Sequence, residues 1–449
     1  MTLLPTRLAG PAWTPVDHGV VRVTAGPGGR ALPVAIAAVI VLLPFGDTSV
    51  PGAGLALVYV AMAVPAAIAF WVLLTDRAPV PPSTILLGLS LGVAGGVVSA
   101  ALGVEPSRSV QLVVISFLTL GYAIALGLAQ RPGLAAPALE LLVVAGGVVG
   151  ALALTSAGSL QSAEGGSVVN GRLTGPFAQP NELGIFCAAL LPIAVTSLVL
   201  ATTRLRVAVL GLATALLAVA WAMSMSRGAW IGGVVALVCL GLAAPRTRRA
   251  LGSVGAAVLA TCAASLTVPS STVLLGPIGD RIRSLGAPSQ NQYDDRPLIW
   301  AEAWRQATEH PWFGVGPGGY QAAASTSSSA ISAEPAEHPH DLYLAVLADR
   351  GVVGLGLGAV VLLGCLLVVR RRVLEAGDRR TPDAETATRA IAVVAALVAV
   401  GVHCLFDMPL RNPIVSGLVW TLLGMAVVAE VAGRADQNPP PPTGVRTQW

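Results

Sequence analysis

Residues 351–369 read GVVGLGLGAVVLLGCLLVV, a run without a single charged side chain, and Arg370, Arg371 and Arg372 follow at once. A helix rises about 1.5 Å per residue and a bilayer core is about 30 Å thick, so a run of this length crosses it. A helix on the surface of a soluble protein would show a polar stripe, and this run has none. The three arginines mark the end that stays on the cytoplasmic side. Read outward from here, comparable runs fall near 31–46, 52–75, 81–104, 109–130, 133–156, 183–201, 205–223, 228–243, 250–268, 390–407 and 412–433. The sequence therefore predicts an all-α polytopic membrane protein of about twelve transmembrane helices.

Composition agrees. The 449 residues are 54% hydrophobic and 11% charged, with a mean hydropathy of +0.75. Soluble domains carry about 25% charged residues, so a soluble enzyme is excluded. A formal charge of +4 offers no basic face for nucleic acid, and none is expected as a partner. Cys187, Cys239, Cys262, Cys365 and Cys404 all sit in apolar runs, where cysteine behaves as a small hydrophobe rather than a disulfide partner.

Arginine in the short loops sets the orientation. One side holds Arg77, Arg131, Arg204, Arg206, Arg246, Arg248, Arg249, the 370–372 triplet, Arg379, Arg380 and Arg389; the other holds only Arg108, Arg227 and Arg411. The predicted organisation follows. Residues 1–30 form a cytoplasmic tail, and 31–268 hold nine spans with an outer loop at 157–182. Residues 269–350 form a long extracytoplasmic loop, 351–433 hold the last three spans, and 434–449 form a cytoplasmic disordered tail with Pro439 to Pro442. Both termini are expected in the cytoplasm, in a multi-pass protein of the cytoplasmic (inner) membrane.

Within the long loop, Ser270 to Ser289 is rich in Ser, Gly and Pro and reads as coil. Arg296 to His310 reads as a helix capped by Asp294 or Asp295, with Pro297 in its first turn. Trp300 and Trp304 are four apart, which suggests a helix lying on the bilayer surface. Gly314 to Gly319 reads as a turn; its GxGxxG lettering follows a helix rather than a strand, so no dinucleotide site is expected. Ala322 to Ala333 reads as mobile, and a short helix starting near His340 leads into the span after Gly351. Glu140 lies inside a predicted span without a visible partner, which marks it for function or for a buried hydrogen bond.

Outward-facing arginine is the chemical signal. Guanidinium holds phosphate through paired hydrogen bonds and stays charged at working pH. Arg172, Arg227 and Arg296 stand out because each lies in a patterned segment. These are Asn170-Gly171-Arg172-Leu173-Thr174-Gly175-Pro176-Phe177 running to Asn181, Ser224-Met225-Ser226-Arg227-Gly228, and Arg296-Pro297-Leu298-Ile299-Trp300. Two further segments are His340-Asp341-Leu342-Tyr343-Leu344 and His403-Cys404-Leu405-Phe406-Asp407.

In this order and on one side of the membrane, these segments resemble the O-antigen ligase and O-antigen polymerase family of bacterial membrane glycosyltransferases. The resemblance runs from about Asn170 to Trp420. It implies a GT-C-like fold and a metal-independent transfer, without cofactor, of an undecaprenyl-pyrophosphate-linked glycan to an acceptor hydroxyl. The implied partners are that donor, a glycan or lipid-linked acceptor, and membrane lipid. By position, Arg172, Arg227 and Arg296 match the pyrophosphate-binding arginines and His340 the catalytic base. Asn181, Asp341, His403 and Asp407 are supporting residues. The family's usual Asn after the base is Asp341 here.

The residues support that chemistry independently. An attacking hydroxyl must lose a proton, which imidazole is suited to take near neutral pH, and fixed arginines can stabilise a departing pyrophosphate. Two other readings compete: transfer to a protein hydroxyl, and a small-anion or inorganic-carbon transporter. A transporter should carry polar groups and broken helices at mid-membrane, whereas these motifs lie at outer helix ends and loops. A metal site at His338 and His340 lacks further ligands nearby in sequence.

Overall fold

The computed structural model describes residues 27–75, 80, 82–129, 135–155, 168–169, 171–270, 275–283, 296–325, 336–377 and 383–435. The proposed caps Asp294 and Asp295, the Pro-rich tail and most of the Ala322–Ala333 stretch lie outside them. The helices are α1 (Pro27–Leu42), α2 (Leu57–Thr75), α3 (Thr84–Leu102), α4 (Pro106–Leu128), α5 (Ala135–Leu154), α6 (Pro180–Val199), α7 (Arg204–Met223), α8 (Arg227–Ala243) and α9 (Arg248–Thr267). The loop contributes α10 (Leu275–Arg283), α11 (Arg296–Glu309) and α12 (Tyr320–Ser325), and α13 (Leu342–Gly377), α14 (Asp383–His403) and α15 (Pro413–Ala435) complete the bundle. Ten of the helices are long and apolar enough to cross a bilayer, and two shorter apolar ones, Arg30–Phe45 and Arg227–Ala243, bring the described set to the twelve expected.

The most enclosed helix is α6, whose apolar window is 83% buried, with α5, α7, α8 and α14 around it. Small residues let the neighbours close up. On α5, a Cβ at Gly147 would come within 2.8 Å of Ala213 on α7; on α8, a Cβ at Gly232 would come within 2.5 Å of the Ala399 carbonyl of α14. One buried carboxylate is well satisfied. Glu430 on α15 accepts from Ser83 Oγ at 2.7 Å and from the Thr84 and Ile85 amides at 2.9 and 3.2 Å. It thereby neutralises the positive end of α3. Glu140 has a partner after all: it pairs with Arg206, which ties α5 to α7 as a structural link.

The long-loop side departs from the sequence reading in three places. The Ser/Gly/Pro-rich stretch contains α10. A two-residue hairpin pairs Val168 with Leu173 and Val169 with Arg172, fixing the approach to α6. Pro180, Asn181 and Glu182 form the first turn of α6 rather than loop. The helix over 296–309 is as expected, but Trp300 does not lie free at an interface: its Nε1 donates to the Pro339 carbonyl at 2.9 Å. Trp304 is 58% exposed.

The turn at 314–319 packs against a kink in α13. Gly314 and Gly351 both have left-handed backbones, with φ of 66° and 64°. A Cβ at Gly314 would lie 2.3 Å from the Ala348 carbonyl, and one at Gly351 2.4 Å from Trp312. Only glycine fits either place. The kink separates the short helix that begins at Leu342 from the long span that follows.

Candidate active site

Four helix ends converge on the long-loop side: the starts of α6, α8 and α13 and the end of α14. Helix starts carry partial positive charge, so this meeting point already favours an anion.

The segment Ser224-Met225-Ser226-Arg227 organises it. Ser226 caps α8 by accepting from the Ala229 amide at 3.4 Å. Met225 is forced into the left-handed region, with φ of 50°, and this turns two successive carbonyls towards two arginines. Arg172 Nε donates to Ser224 O at 2.9 Å, and Arg281 Nε donates to Met225 O at 3.1 Å. Arg227 follows directly in the chain. Arg172 is pushed down to about 10 by burial first, then by the charge of Arg281, and further by Arg227, against the opposing pull of Asp407. Arg281 is likewise lowered, by burial and by Arg227. Arg172 therefore remains cationic at neutral pH. Like charges gathered in a partly dehydrated site make a receptor for an anion. Each guanidinium has five N–H donors, so holding a carbonyl leaves others for an anion.

Arg281 is the residue that sequence reasoning passed over. It stood among the outward arginines, but its segment read as coil. The nine-residue α10, with apolar and basic residues on different faces, is what delivers it.

Hydrogen bonds lead from this cluster to Asp407, which stands beside the histidines. Arg172 Nη2 donates to Asn181 Oδ1 at 2.8 Å, and Asn181 Nδ2 donates to Asp407 Oδ2 at 2.7 Å. The other carboxylate oxygen, Oδ1 of Asp407, lies 3.6 Å from His340 Nδ1. Burial alone would raise the Asp407 carboxyl. The neighbouring His340, the Met408 amide and Asn181 more than offset it and hold the group well below the ordinary carboxylate range. The stability this contributes is therefore complete above the ordinary carboxylate value and is lost only as pH falls towards the depressed one. His340 is 39% exposed and Asp407 17% exposed, so the ring faces the open side with the carboxylate behind it.

His340 itself is held under strain. Its φ is 54°, a conformation that costs a non-glycine residue roughly 1–3 kcal/mol. The flanking chain is tied down on every side. Trp300 holds the Pro339 carbonyl, and the Leu342 amide donates to Cys404 O at 2.9 Å. Arg411 bonds His338 Nδ1 and, at 2.6 Å, Glu337. The rings of His338 and His340 lie 4.3 Å apart. His338 is lowered to about 4, by burial and then by His340 and Arg411, and is neutral at working pH.

Asp341, the chain neighbour of His340, serves the helix that follows. Its Oδ1 accepts from the Tyr343 and Leu344 amides at 2.8 and 3.0 Å, capping α13. Arg296 begins α11 one turn before Trp300, on the same helix face. His403 is buried against Gly228, where a Cβ would stand 2.9 Å from its Nδ1. It packs α14 beneath the start of α8, with Asp407 within its electrostatic reach.

His338, His340 and Asp407 offer ligand atoms within 4.8 Å of one another. The structure thus supplies a third candidate ligand that the sequence reading had not found. Against a cation here, Arg411 occupies one ring nitrogen of His338 and brings its own positive charge.

Residues 212–359 match the family described as O-antigen ligase. That region contains Arg227, Arg281, Arg296 and His340, and the chain Arg172–Asn181–Asp407 binds to it from both flanks. No curated protein matches the chain.

Proposed function

The chain carries the O-antigen ligase family region, and from that membrane glycan-transfer role we propose that it moves a glycan from undecaprenyl pyrophosphate to an acceptor hydroxyl. One observation carries this reading: a cluster of three arginines linked through Asn181 to Asp407, whose carboxylate stands 3.6 Å behind the partly exposed His340.

In this reading the acceptor oxygen attacks the anomeric carbon of the donor sugar. The new C–O bond forms as the bond from that carbon to the pyrophosphate oxygen breaks. The hydroxyl proton passes to Nε2 of His340. Asp407 beside Nδ1 selects the tautomer with Nε2 unprotonated and then stabilises the imidazolium. A separation of 3.6 Å is loose for a hydrogen bond, and such contacts commonly tighten when substrate binds. The lipid pyrophosphate leaves with added negative charge, which Arg172, Arg227 and Arg281 receive. Arg296 serves from the α11 side, and Asn181 keeps the arginine cluster and the base in register.

The donor requirement is testable with purified protein in proteoliposomes. Glycan on undecaprenyl pyrophosphate should be transferred, and the same glycan on undecaprenyl monophosphate should be transferred far more slowly. Equal rates from the two donors would refute a site built for pyrophosphate.

The same reading places the long-loop side outside the cell, with both termini in the cytoplasm. In a background without native cysteines, an impermeant thiol reagent on intact cells should modify Ser325→Cys and leave Glu385→Cys unlabelled. The reverse pattern would invert the orientation.

A further inference from the structure

Arg411 is an outward-side arginine to which the transfer reading gives no task. It closes the short turn Pro409–Arg411 in the link between α14 and α15. The turn is firm: Asp407 Oδ1 accepts from the Met408 amide at 2.8 Å, and the Asn412 amide donates to Pro409 O at 3.1 Å. One stretch of chain thus carries both the carboxylate behind His340 and a guanidinium that bonds the neighbouring ring of His338.

His338, His340 and Asp407 are each partly exposed, and their ligand atoms lie within 4.8 Å of one another. Two imidazoles and a carboxylate, with a further position left open, are the donor set of a catalytic zinc site. An ion bound there would take up a ring lone pair of His340, the kind of group that has to accept a proton. What stands against it is the state of His338. A guanidinium only donates hydrogen bonds. Arg411 Nη1 bonds His338 Nδ1, so Nδ1 is the acceptor, and Nε2 then holds the ring's proton. Neither nitrogen of His338 keeps a free lone pair for a metal. The same guanidinium brings a positive charge, and Glu337, accepting from Nη2 at 2.6 Å, fixes it in place.

We propose that Arg411 guards a latent three-ligand site for a divalent transition metal, zinc above all, and so keeps His340 free to act as a base. Removing the guanidinium frees Nδ1 of His338 and withdraws a unit charge from beside the ion. Against a dication, a unit charge at contact distance is worth at least about tenfold in affinity even at the dielectric constant of water. The metal-binding part stands on the geometry alone; its consequence for activity rests on the transfer reading above.

The test uses full-length, untagged protein in nanodiscs, stripped with chelator and titrated with zinc by calorimetry. Cobalt serves as a spectroscopic stand-in, whose visible absorption reports ligation by few donors. Arg411→Ala should bind one zinc per chain at least about tenfold more tightly than the wild type and should gain the cobalt absorption. Arg411→Lys, which keeps a donor and a charge, should stay close to the wild type. Glu337→Gln, which only unfastens Arg411, should tighten binding by a smaller factor. Adding His338→Ala or Asp407→Asn to Arg411→Ala should abolish the site. In the transfer assay, zinc should inhibit Arg411→Ala at a concentration at least about tenfold lower than it inhibits the wild type, and chelator should restore the activity. Wild-type affinity equal to that of Arg411→Ala would show that Arg411 excludes nothing. Failure of both Arg411→Ala and Glu337→Gln to bind would show that the triad cannot hold an ion. Binding that survives loss of His338 or Asp407 would lie elsewhere. Each of these overturns the proposal. Tight binding in Arg411→Ala that leaves transfer untouched would uphold the guard and overturn His340 as the base.

Discussion

Replacing His340 with alanine should abolish glycan transfer while the protein remains folded and membrane-inserted. A positioned general base contributes about 10²–10⁴-fold, so the loss should be plain in a reconstituted assay. His338→Ala should cost less. His338 is neutral, held by Arg411 and set beside the base, so its removal loosens the ring of His340 without deleting the proton acceptor. Asp407→Asn should fall between the two, because amide in place of carboxylate no longer selects the tautomer or stabilises the imidazolium. Chelator should leave the wild type active. Equal losses at positions 338, 340 and 407, inhibition by chelator and rescue by zinc would instead establish the triad as a metal site.

The arginine cluster carries the second large effect. Arg172→Lys, Arg227→Lys and Arg281→Lys each keep the charge but lose the planar fork that can grip a phosphate through paired hydrogen bonds. Removing one preorganised donor to a developing anion typically costs on the order of 10²–10³-fold in rate. The losses should appear mainly in kcat, because the leaving pyrophosphate gains charge in the transition state. Arg283→Lys is the internal control. It lies on the same short helix but bonds Asp280 and the Leu266 carbonyl, and it should transfer at close to the wild-type rate. If the three cluster variants match Arg283→Lys, the arginines do not hold the leaving group.

The spans were legible because membrane insertion imposes one demand, an apolar run of sufficient length, and each predicted span has its helix. His340 and two of the clustered arginines were legible as candidates because each lies in a short contiguous segment. The relations between segments were not. Asn181 and Asp407 are 226 positions apart, and no local pattern announces their bond. Beside His340 in the chain stands the carboxylate of Asp341, but it accepts from the Tyr343 and Leu344 amides, and the carboxylate 3.6 Å from the His340 ring is that of Asp407, beyond the end of α14. Arg281 was obscured because Ser, Gly and Pro nearby signal coil, while a helix as short as α10 is held by tertiary contacts with α9 that propensity does not register. Glu140 looked isolated for a similar reason: Arg206, its partner, lies across a helix–helix contact.

The central claim is that one site holds the pyrophosphate in the arginine cluster and presents the anomeric carbon to His340. A structure of His340→Ala protein in nanodiscs with undecaprenyl-pyrophosphate-linked glycan tests it most directly. Phosphate oxygens should lie within hydrogen-bonding distance of Arg172, Arg227 and Arg281, with the first sugar beside position 340 and Asp407. Pyrophosphate bound away from those arginines, or a first sugar remote from position 340, would contradict it.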